Sequence, residues 1–178
     1  MAVDSGPRGR REAGLLTDPI SVVQVLAPAP AGGLERVVRT LAGGLSRRGH
    51  RVTVLTVITP DQAGHPYVEA LRSDGIEVVP VILASRRYLA ERRAVAQELA
   101  ARHAAILHTH GYRPDLVDSG VARRRQVATV STVHGFTGGD WKNRFFERLQ
   151  LRNLRTMSAV VAVSAPLGER LGRAGVRP

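Results

Sequence analysis

The 178-residue sequence contains no cysteine, which excludes disulfide bridges and thiolate chemistry. No apolar run approaches the length of about 18 residues that a membrane-spanning helix needs. The first twenty residues are polar, with Arg8, Arg10 and Arg11 where a secretory signal would have an apolar core. Because a chain without cysteine fits a reducing compartment, we expect a cytoplasmic protein.

Aromatic residues make up only 4% of the chain, and lysine occurs once, at Lys142. Arginine supplies the remaining basic residues, and the net charge is +11. Two interpretations remain open, an anionic partner such as a lipid head-group surface or a phosphate-bearing substrate, and arginines spread over solvated helix faces. The few aromatics and the lack of a zinc-finger, basic-zipper or RNA-recognition signature argue against a nucleic-acid partner.

Strand and helix signals alternate from residue 20 onward. The predicted strands cover residues 22–26, 52–58, 76–81, 105–108, 127–133 and 159–163. Such alternation indicates parallel pairing through right-handed crossovers, and apolar strands indicate a sheet covered on both faces. The sequence therefore predicts a doubly wound, mainly parallel, Rossmann-like α/β domain over residues 20–178, preceded by a disordered lead-in over residues 1–19.

Two of the predicted helices are defined by particular residues, one by an apolar stripe and one by a proline in its first turn. The helix over residues 85–102 is expected to bury a stripe of apolar side chains, and a later helix is expected to open at Pro114, where proline suits the first turn. The expected stripe consists of Leu89, Val95, Ala96 and Leu99.

The helix predicted over residues 141–157 combines apolar and basic side chains. Four arginines are interleaved with its large apolar residues. This pattern is typical of a core stripe against the sheet, and also of a basic amphipathic helix on an anionic bilayer, so peripheral contact with the inner face of a membrane is a second possibility. The apolar residues are Trp141, Phe145, Phe146, Leu149 and Leu154.

Ligands of doubly wound sheets bind beyond the carboxyl ends of the strands. Gly32 and Gly33 connect the first strand to a helix, and the free N–H groups of a helix N-terminus suit a phosphate. The spacing matches neither a dinucleotide-binding fingerprint nor a P-loop, so a plain tight turn is the competing interpretation. The other segments that follow predicted strands are residues 59–61, 108–112, 134–139 and 164.

Three histidines lie at the carboxyl ends of predicted strands. His108 and His110 are two residues apart and face the same side of a strand, but no cysteine or carboxylate lies at a matching spacing, so we predict no metal site. His134 ends the fifth strand, where an imidazole facing the glycine turn could donate a hydrogen bond to a phosphate or sugar hydroxyl, or act as an acid or base. The alternative is a packing histidine.

Several short motifs together resemble the first half of the family 4 glycosyltransferases. They are Pro30-Ala-Gly-Gly-Leu-Glu-Arg-Val-Val38, Leu41-Ala-x-x-Leu45-x-x-Arg48-Gly-His-x-Val-Thr-Val-x-Thr56, His108-Thr-His-Gly111, Ser131-Thr-Val-His-Gly135 and Ala159-Val-Val-Ala-Val-Ser164. No single motif is decisive, but their joint order and spacing are specific. The resemblance extends over residues 22–176.

The resemblance implies the two-domain GT-B fold and a role in carbohydrate biosynthesis, namely a retaining, metal-independent, hexosyltransferase-like transfer from a nucleotide-sugar to an acceptor. No cofactor is implied, because the nucleotide-sugar is a co-substrate. By the same resemblance, His134 is the catalytic-site residue that positions the donor sugar. The implied donor-phosphate contacts are Gly32, Gly33 and Gly135, and the implied acceptor-side residues are Glu35, His110, Tyr112, Gly138 and Gly139.

The resemblance also implies a second, donor-binding domain with most of the nucleotide contacts, which the residues up to Pro178 do not include. We therefore expect this polypeptide to be inactive without that domain or a partner subunit that supplies it. A stand-alone Rossmann-like module that binds an anionic ligand without catalysis remains the alternative. The sequence identifies neither the donor sugar nor the acceptor, which could be a sugar, a lipid or a small metabolite.

Overall fold

The computed structural model describes residues 18–29, 32–136 and 141–177. For residues 141–143 it describes the backbone only. The predicted lead-in over residues 1–19 therefore lies almost entirely outside the described residues, as do Gly138 and Gly139. Among the described residues, no helix combines the length and the hydropathy that crossing a bilayer requires.

Six strands form one sheet in the order β3-β2-β1-β4-β5-β6, and every neighbouring pair is parallel. The chain therefore winds outward from the centre in both directions, and the adjacent strands β1 and β4 mark the point where the direction reverses. This order confirms the predicted doubly wound α/β fold. The strands are β1 (Ser21–Leu26), β2 (Arg51–Ile58), β3 (Glu77–Ile82), β4 (Ile106–His110), β5 (Ala128–Val133) and β6 (Ala159–Ala162).

Helices separate the strands, and a short 3₁₀ turn (Pro60–Gln62) follows β2. Right-handed crossovers put the helices that follow β1 and β2 on one face and the remaining helices on the other. The helices are α1 (Gly33–Arg47), α2 (Pro66–Ser73), α3 (Tyr88–Ala101), α4 (Tyr112–Val117), α5 (Ser119–Arg124), α6 (Trp141–Leu154) and α7 (Ala165–Arg173).

The alternation of β1 divides the core between the two faces of the sheet. Val22 and Leu26 pack with α1 and α2, whereas Val23 and Val25 pack with residues of α3 and α5. A third cluster joins the ends of β5 and β6 to α6 and α7 around Leu154. Every side chain of β1 is buried, as expected for a central parallel strand with both faces covered.

Three boundary predictions need correction. β4 runs to His110 rather than ending at His108, because its ladder with β1 continues until Leu26 pairs with His110. The helix predicted from Pro114 is two helices that begin at Tyr112 and break at Asp118, where the Val121 N–H donates to the Asp118 carbonyl in a tight i to i+3 turn.

The predicted buried stripe of α3 is only partly right. Val95 and Leu99 are buried, but Leu89 is 72% exposed, because it lies in the first turn, before the helix packs against the sheet. The core interpretation of α6 fails similarly: Leu154 is buried, whereas Phe145 and Phe146 are about half exposed. Apolar periodicity therefore identified helices that contact the core, but it did not identify which of their turns make that contact.

Candidate functional site

A cleft of about 470 Å³ opens at the carboxyl edge of the sheet, beside the β1–β4 switch point. Parallel strands place their following loops at one edge, so segments far apart in sequence meet there. The cleft is lined by Leu34 of α1, Gly111 and Tyr112 after β4, His134, Gly135 and Phe136 after β5, and Phe146, Glu147 and Gln150 of α6. Of the described residues, Thr59, Asp61 and Ser164 follow other strands and do not line it.

The N-terminus of α1 adjoins this cleft and has no capping side chain among the described residues. Gly32 precedes the helix with extended backbone, and the first helical bond runs from the Arg36 N–H to the Gly32 carbonyl at 3.2 Å. The N–H groups before Arg36 therefore have no carbonyl within the helix, and they carry the positive end of the helix dipole. Such a helix start is suited to an anionic group.

Glu35 packs directly beneath the glycine turn. Its side chain is buried, and its Oε1 accepts a hydrogen bond from the Ala29 N–H at 2.7 Å. A Cβ atom added to Gly32 would lie 2.5 Å from Glu35 Oε2, whereas one added to Gly33 would meet nothing within 4 Å. A side chain at position 32 would displace the Glu35 carboxylate, whereas Gly33 leaves open space above the helix start.

His134 is half-buried at the cleft, with its Nε2 3.5 Å from Nδ1 of His110. Burial lowers the pKa of His134, and the nearby Glu35 carboxylate opposes that shift. The lowered pKa favours the neutral imidazole near neutral pH, which has one N–H donor and one acceptor nitrogen. His134 is thus suited to hydrogen bonding a hydroxyl or phosphate oxygen.

His110 and His108 form a row of imidazole rings behind His134. Ring centroids are 5.8 Å apart from His134 to His110 and 4.3 Å apart from His110 to His108. Burial is the main cause that lowers the pKa of His108 to about 4 and places that of His110 well below its ordinary value. His110, expected on the acceptor side, does not line the cleft, because it is 1% exposed and lies behind His134.

The described part of the chain contains no group of three or more His, Cys, Asp or Glu side chains arranged to hold a metal ion. The His108 and His110 rings are stacked, and the His134 ring is tilted by 44° against that of His110. His108 Nε2 contacts the Thr132 hydroxyl at 2.8 Å, so one of its nitrogens is engaged within the sheet. Independence from metal ions stays a prediction.

The backbone after β5 requires glycine. Gly135 has a φ of +141°, a region that residues with a side chain rarely adopt. This conformation lies between His134 and Phe136, both of which line the cleft. Gly135 therefore lies at the cleft, as predicted, while contact with a donor phosphate stays a prediction. Tyr112, 60% exposed, lines the same cleft from the β4 side.

The cleft wall formed by α6 was absent from the sequence prediction. Phe146, Glu147 and Gln150 line the cleft, and the guanidinium of Arg170 pairs with Glu147. Their i, i+1 and i+4 spacing on one predicted helix indicated a shared face, but nothing local indicated that this face would meet the loop after β4. Helix packing brings these side chains into the site.

A buried carboxylate, also absent from the sequence prediction, holds α6 in place. Asp115 of α4 accepts hydrogen bonds from the hydroxyls of Thr109 and Ser131 and, through Oδ2, from the Gln150 amide at 2.7 Å. Burial raises the pKa of Asp115 to about 6, although all three hydrogen bonds oppose that rise. Asn153 adds a hydrogen bond to the Asp115 carbonyl, so the network joins β4, β5, α4 and α6.

These features define a Rossmann-like α/β domain with a ligand cleft at its switch point. The chain belongs to Glycosyltransferase Family 4, whose sequence profile matches residues 31–178. Among curated proteins, no sequence matches at a significant level. The fold is that of the N-terminal domain of a GT-B glycosyltransferase, which the solved structures described next share.

A glycosyltransferase from Rickettsia africae superimposes with a TM-score of 0.67 at 20% identity, over 90% of this chain and 41% of that chain. Anabaena Alr3699/HepE in complex with UDP-glucose has a TM-score of 0.73 at 15% identity, over 89% and 41%. MurG of Acinetobacter baumannii has a TM-score of 0.61 at 14% identity, over 84% and 42%. At these identities the likeness establishes the fold, and the chain spans about two fifths of each structure.

Proposed function

We propose that this chain forms the acceptor side of a retaining glycosyltransferase that moves a sugar from a nucleotide-sugar to a sugar, lipid or small-metabolite acceptor. One observation carries the proposal: the neutral His134 and Gly135 line the same cleft as Leu34, next to the uncapped start of α1. Membership of the family supports the reaction class, and the complex of HepE with UDP-glucose supports a nucleotide-sugar donor.

In such a transfer the bond from the sugar's anomeric carbon to the diphosphate breaks, and a bond to the acceptor oxygen forms on the same face. Negative charge develops on the diphosphate as its bond to the sugar breaks, and the diphosphate then takes up the acceptor's proton. N–H groups at the start of α1, around Gly32 and Gly33, can stabilise that charge through hydrogen bonds and the helix dipole, without a metal ion. His134 would orient the donor sugar by hydrogen bonding one of its hydroxyls.

The proposed acceptor side is built in two layers. Tyr112 is exposed at the cleft and can contact the acceptor directly. Glu35 and His110 are buried, so we propose that Glu35 positions the glycine turn and His110 positions His134. Roles for Gly138 and Gly139 remain predictions from the family resemblance, and so does the cytoplasmic location.

We also propose that transfer requires a donor-binding domain, in the same polypeptide or as a partner subunit. The chain covers about two fifths of the GT-B structures it resembles, which supports a cleft completed from elsewhere. An immunoblot of source-cell extract would report the native mass. A band near 19.2 kDa would indicate a separate partner subunit, and a band about twice as heavy would indicate a two-domain enzyme.

The decisive experiment measures nucleoside diphosphate release from a panel of nucleotide-sugars, with the purified chain alone and with a family 4 donor-binding domain added or fused. We expect background release from the chain alone and acceptor-dependent release from the combination. Transfer by the chain alone would contradict the need for a second domain. Ligand binding by the chain with no transfer in any combination would instead favour the stand-alone binding module.

His134 is the residue to test first in the complete enzyme. We expect His134→Ala to lower transfer roughly 100-fold, within the range for a lost acid–base or positioning group, and His134→Gln to retain more activity because its amide still hydrogen bonds. His103→Asn is the matched control, since His103 is exposed at the opposite edge of the sheet. Equal losses in the His134 and His103 variants would contradict a role in the cleft.

A further inference from the structure

Large apolar side chains are exposed along one border of the cleft. They form a surface that we call the apolar ridge, made of Tyr88 and Leu89 at the start of α3, Tyr112 at the start of α4, and Phe145, Phe146 and Leu149 of α6, each between 38% and 72% exposed. Isolated exposed apolar residues are ordinary, but a contiguous set marks an interaction surface.

Ring contacts join the apolar side chains of α4 and α6, and those of α3 reach them through Arg113. The Arg113 guanidinium lies over the Tyr88 ring, 5.7 Å from its centroid, and Arg113 directly follows Tyr112 in the chain. The Tyr112 and Phe146 rings are 6.4 Å apart, and the Phe146 and Phe145 rings are 5.9 Å apart. The ridge therefore runs from α3 through the start of α4 to α6.

Exposed arginines flank the ridge at both ends. Arg86 and Arg87 precede α3, and Arg144, Arg148 and Arg152 lie along α6. Among the described residues of α3 and α6, Glu91 pairs with Arg113 and Glu147 pairs with Arg170. The surface is therefore cationic as well as apolar.

On α6 the two kinds of side chain share one face. Phe145, Arg148, Leu149 and Arg152 follow the i, i+3, i+4, i+7 spacing and are all exposed, while Gln150 faces the protein interior. Arginine and aromatic residues also occur together in protein–protein interfaces. Here Arg144, Arg148 and Arg152 repeat turn by turn along α6 beside the aromatic rings, so the occupant must offer several negative charges next to an apolar region. Aromatic rings at head-group depth beside arginines on lipid phosphates are typical of helices at a bilayer surface.

We propose that the apolar ridge and its flanking arginines dock this chain on an anionic bilayer surface. Apolar side chains enter the head-group region while the arginines bind lipid phosphates, which accounts for both properties of the surface. Tyr112 and Phe146 belong to the ridge and also line the cleft, so a docked chain has its cleft opening at the bilayer. The docking does not depend on the proposed sugar transfer and is tested without it.

The test is co-sedimentation of the full chain with vesicles of phosphatidylcholine alone or with about one third phosphatidylglycerol, at about 0.1 M salt. We expect binding to the anionic vesicles and at least tenfold weaker partitioning to the neutral ones. Failure to bind anionic vesicles overturns the proposal.

Two variants separate docking from general attraction of a basic protein. We expect Arg144→Gln with Arg148→Gln to weaken partitioning roughly tenfold or more, since each arginine near the surface contributes about fivefold. Arg124→Gln with Arg125→Gln is the matched control, with the same loss of charge at the exposed far end of α5. Equal weakening by both pairs would mean that net charge alone drives binding, and would overturn the proposal.

The apolar part of the ridge is tested separately by Phe145→Ser with Leu149→Ser, which leaves the cleft-lining side chains in place. These positions are exposed, so thermal unfolding should be nearly unchanged, while vesicle partitioning should fall severalfold. If this variant reduces self-association but binds vesicles like the unmodified chain, the ridge is a protein contact and the proposal is wrong.

Discussion

Gly33 and Gly135 both lie at the carboxyl edge of the sheet, but only Gly135 is required by its backbone conformation. Gly33 begins α1 with open space around it, whereas Gly135 has a φ of +141° that strains any other residue. The sequence placed both at the carboxyl ends of strands. It could not distinguish free space from backbone strain, because that difference depends on the exit path of β5.

We expect Gly33→Ala to keep or slightly raise stability, by up to about 1 kcal/mol, because alanine favours the helix and contacts nothing here. The same change should lower transfer in the complete enzyme if a donor phosphate approaches this helix start. Thermal melts and initial rates measure the two effects. Unchanged transfer at unchanged stability would contradict donor contact at Gly33.

Gly135→Ala, unlike Gly33→Ala, should lower the stability of the chain. Its positive φ should cost about 1–2 kcal/mol of stability, and the displaced loop should also move His134 and Phe136. Urea unfolding measures the loss of stability. A Gly135→Ala chain as stable as the original would show that the loop after β5 can adopt another conformation at little cost.

At the scale of elements, α6 is held against the sheet by a polar network rather than by a broad apolar face. Asp115 accepts three side-chain hydrogen bonds, one of them from Gln150, and among the α6 side chains that the structure describes, Leu154 is the largest that is fully buried and apolar. The exposed Phe145 and Phe146 therefore belong to the cleft wall and the apolar ridge. Periodicity alone could not reveal this, because it identifies a helix face without identifying its neighbour.

We expect Asp115→Ala to destabilise the chain by roughly 3 kcal/mol, because the Gln150 amide and two hydroxyls lose their buried acceptor. Asp115→Asn should cost about 1 kcal/mol or less, because a flipped Gln150 amide can accept from the new side-chain NH₂. Urea unfolding compares the two variants. Equal losses would show that charge, not hydrogen bonding, holds α6.

At the scale of the whole molecule, buried groups give stability two opposing pH dependences. The pKa of His108 is lowered to about 4, so the unfolded chain binds a proton between pH 6.5 and 4 that the folded chain does not. That difference removes roughly 3 kcal/mol of stability as the pH falls through this window. The lowered pKa of His110 acts in the same direction.

The raised pKa of Asp115, about 6, has the opposite sign. Between pH 6 and 3.8 the folded chain holds a proton that the unfolded chain has lost, so Asp115 adds stability as the pH falls. Asp118, whose pKa burial also raises, acts likewise. The histidine and aspartate contributions therefore partly cancel below pH 6.

We predict that Asp115→Asn makes the free energy of unfolding fall more steeply between pH 6 and 4 than in the unmodified chain, because one opposing carboxyl is removed. His108→Gln should make the same region flatter, while its amide keeps a hydrogen bond with Thr132. Denaturant titrations across this pH range provide the slopes. Identical slopes in all three chains would contradict these pKa directions.

The sequence by itself determined the fold class, the order of strands and helices, and the edge where the cleft lies. Those properties follow from local periodicity, glycine turns and the rule that parallel strands end at one edge, so no long-range contact is needed to infer them. His134 and the Gly32–Gly33 turn were found at that edge for the same reason.

Only the tertiary structure decided which side chains line the cleft and which lie behind it. His110 is buried because β4 extends along β1, Glu35 is buried beneath the glycine turn, and α6 contributes Phe146 and Gln150 through its packing on α4. Each of these outcomes depends on contacts between residues distant in sequence. Burial, hydrogen-bond partners and pKa shifts arise from those contacts, so they could not be read from local sequence patterns.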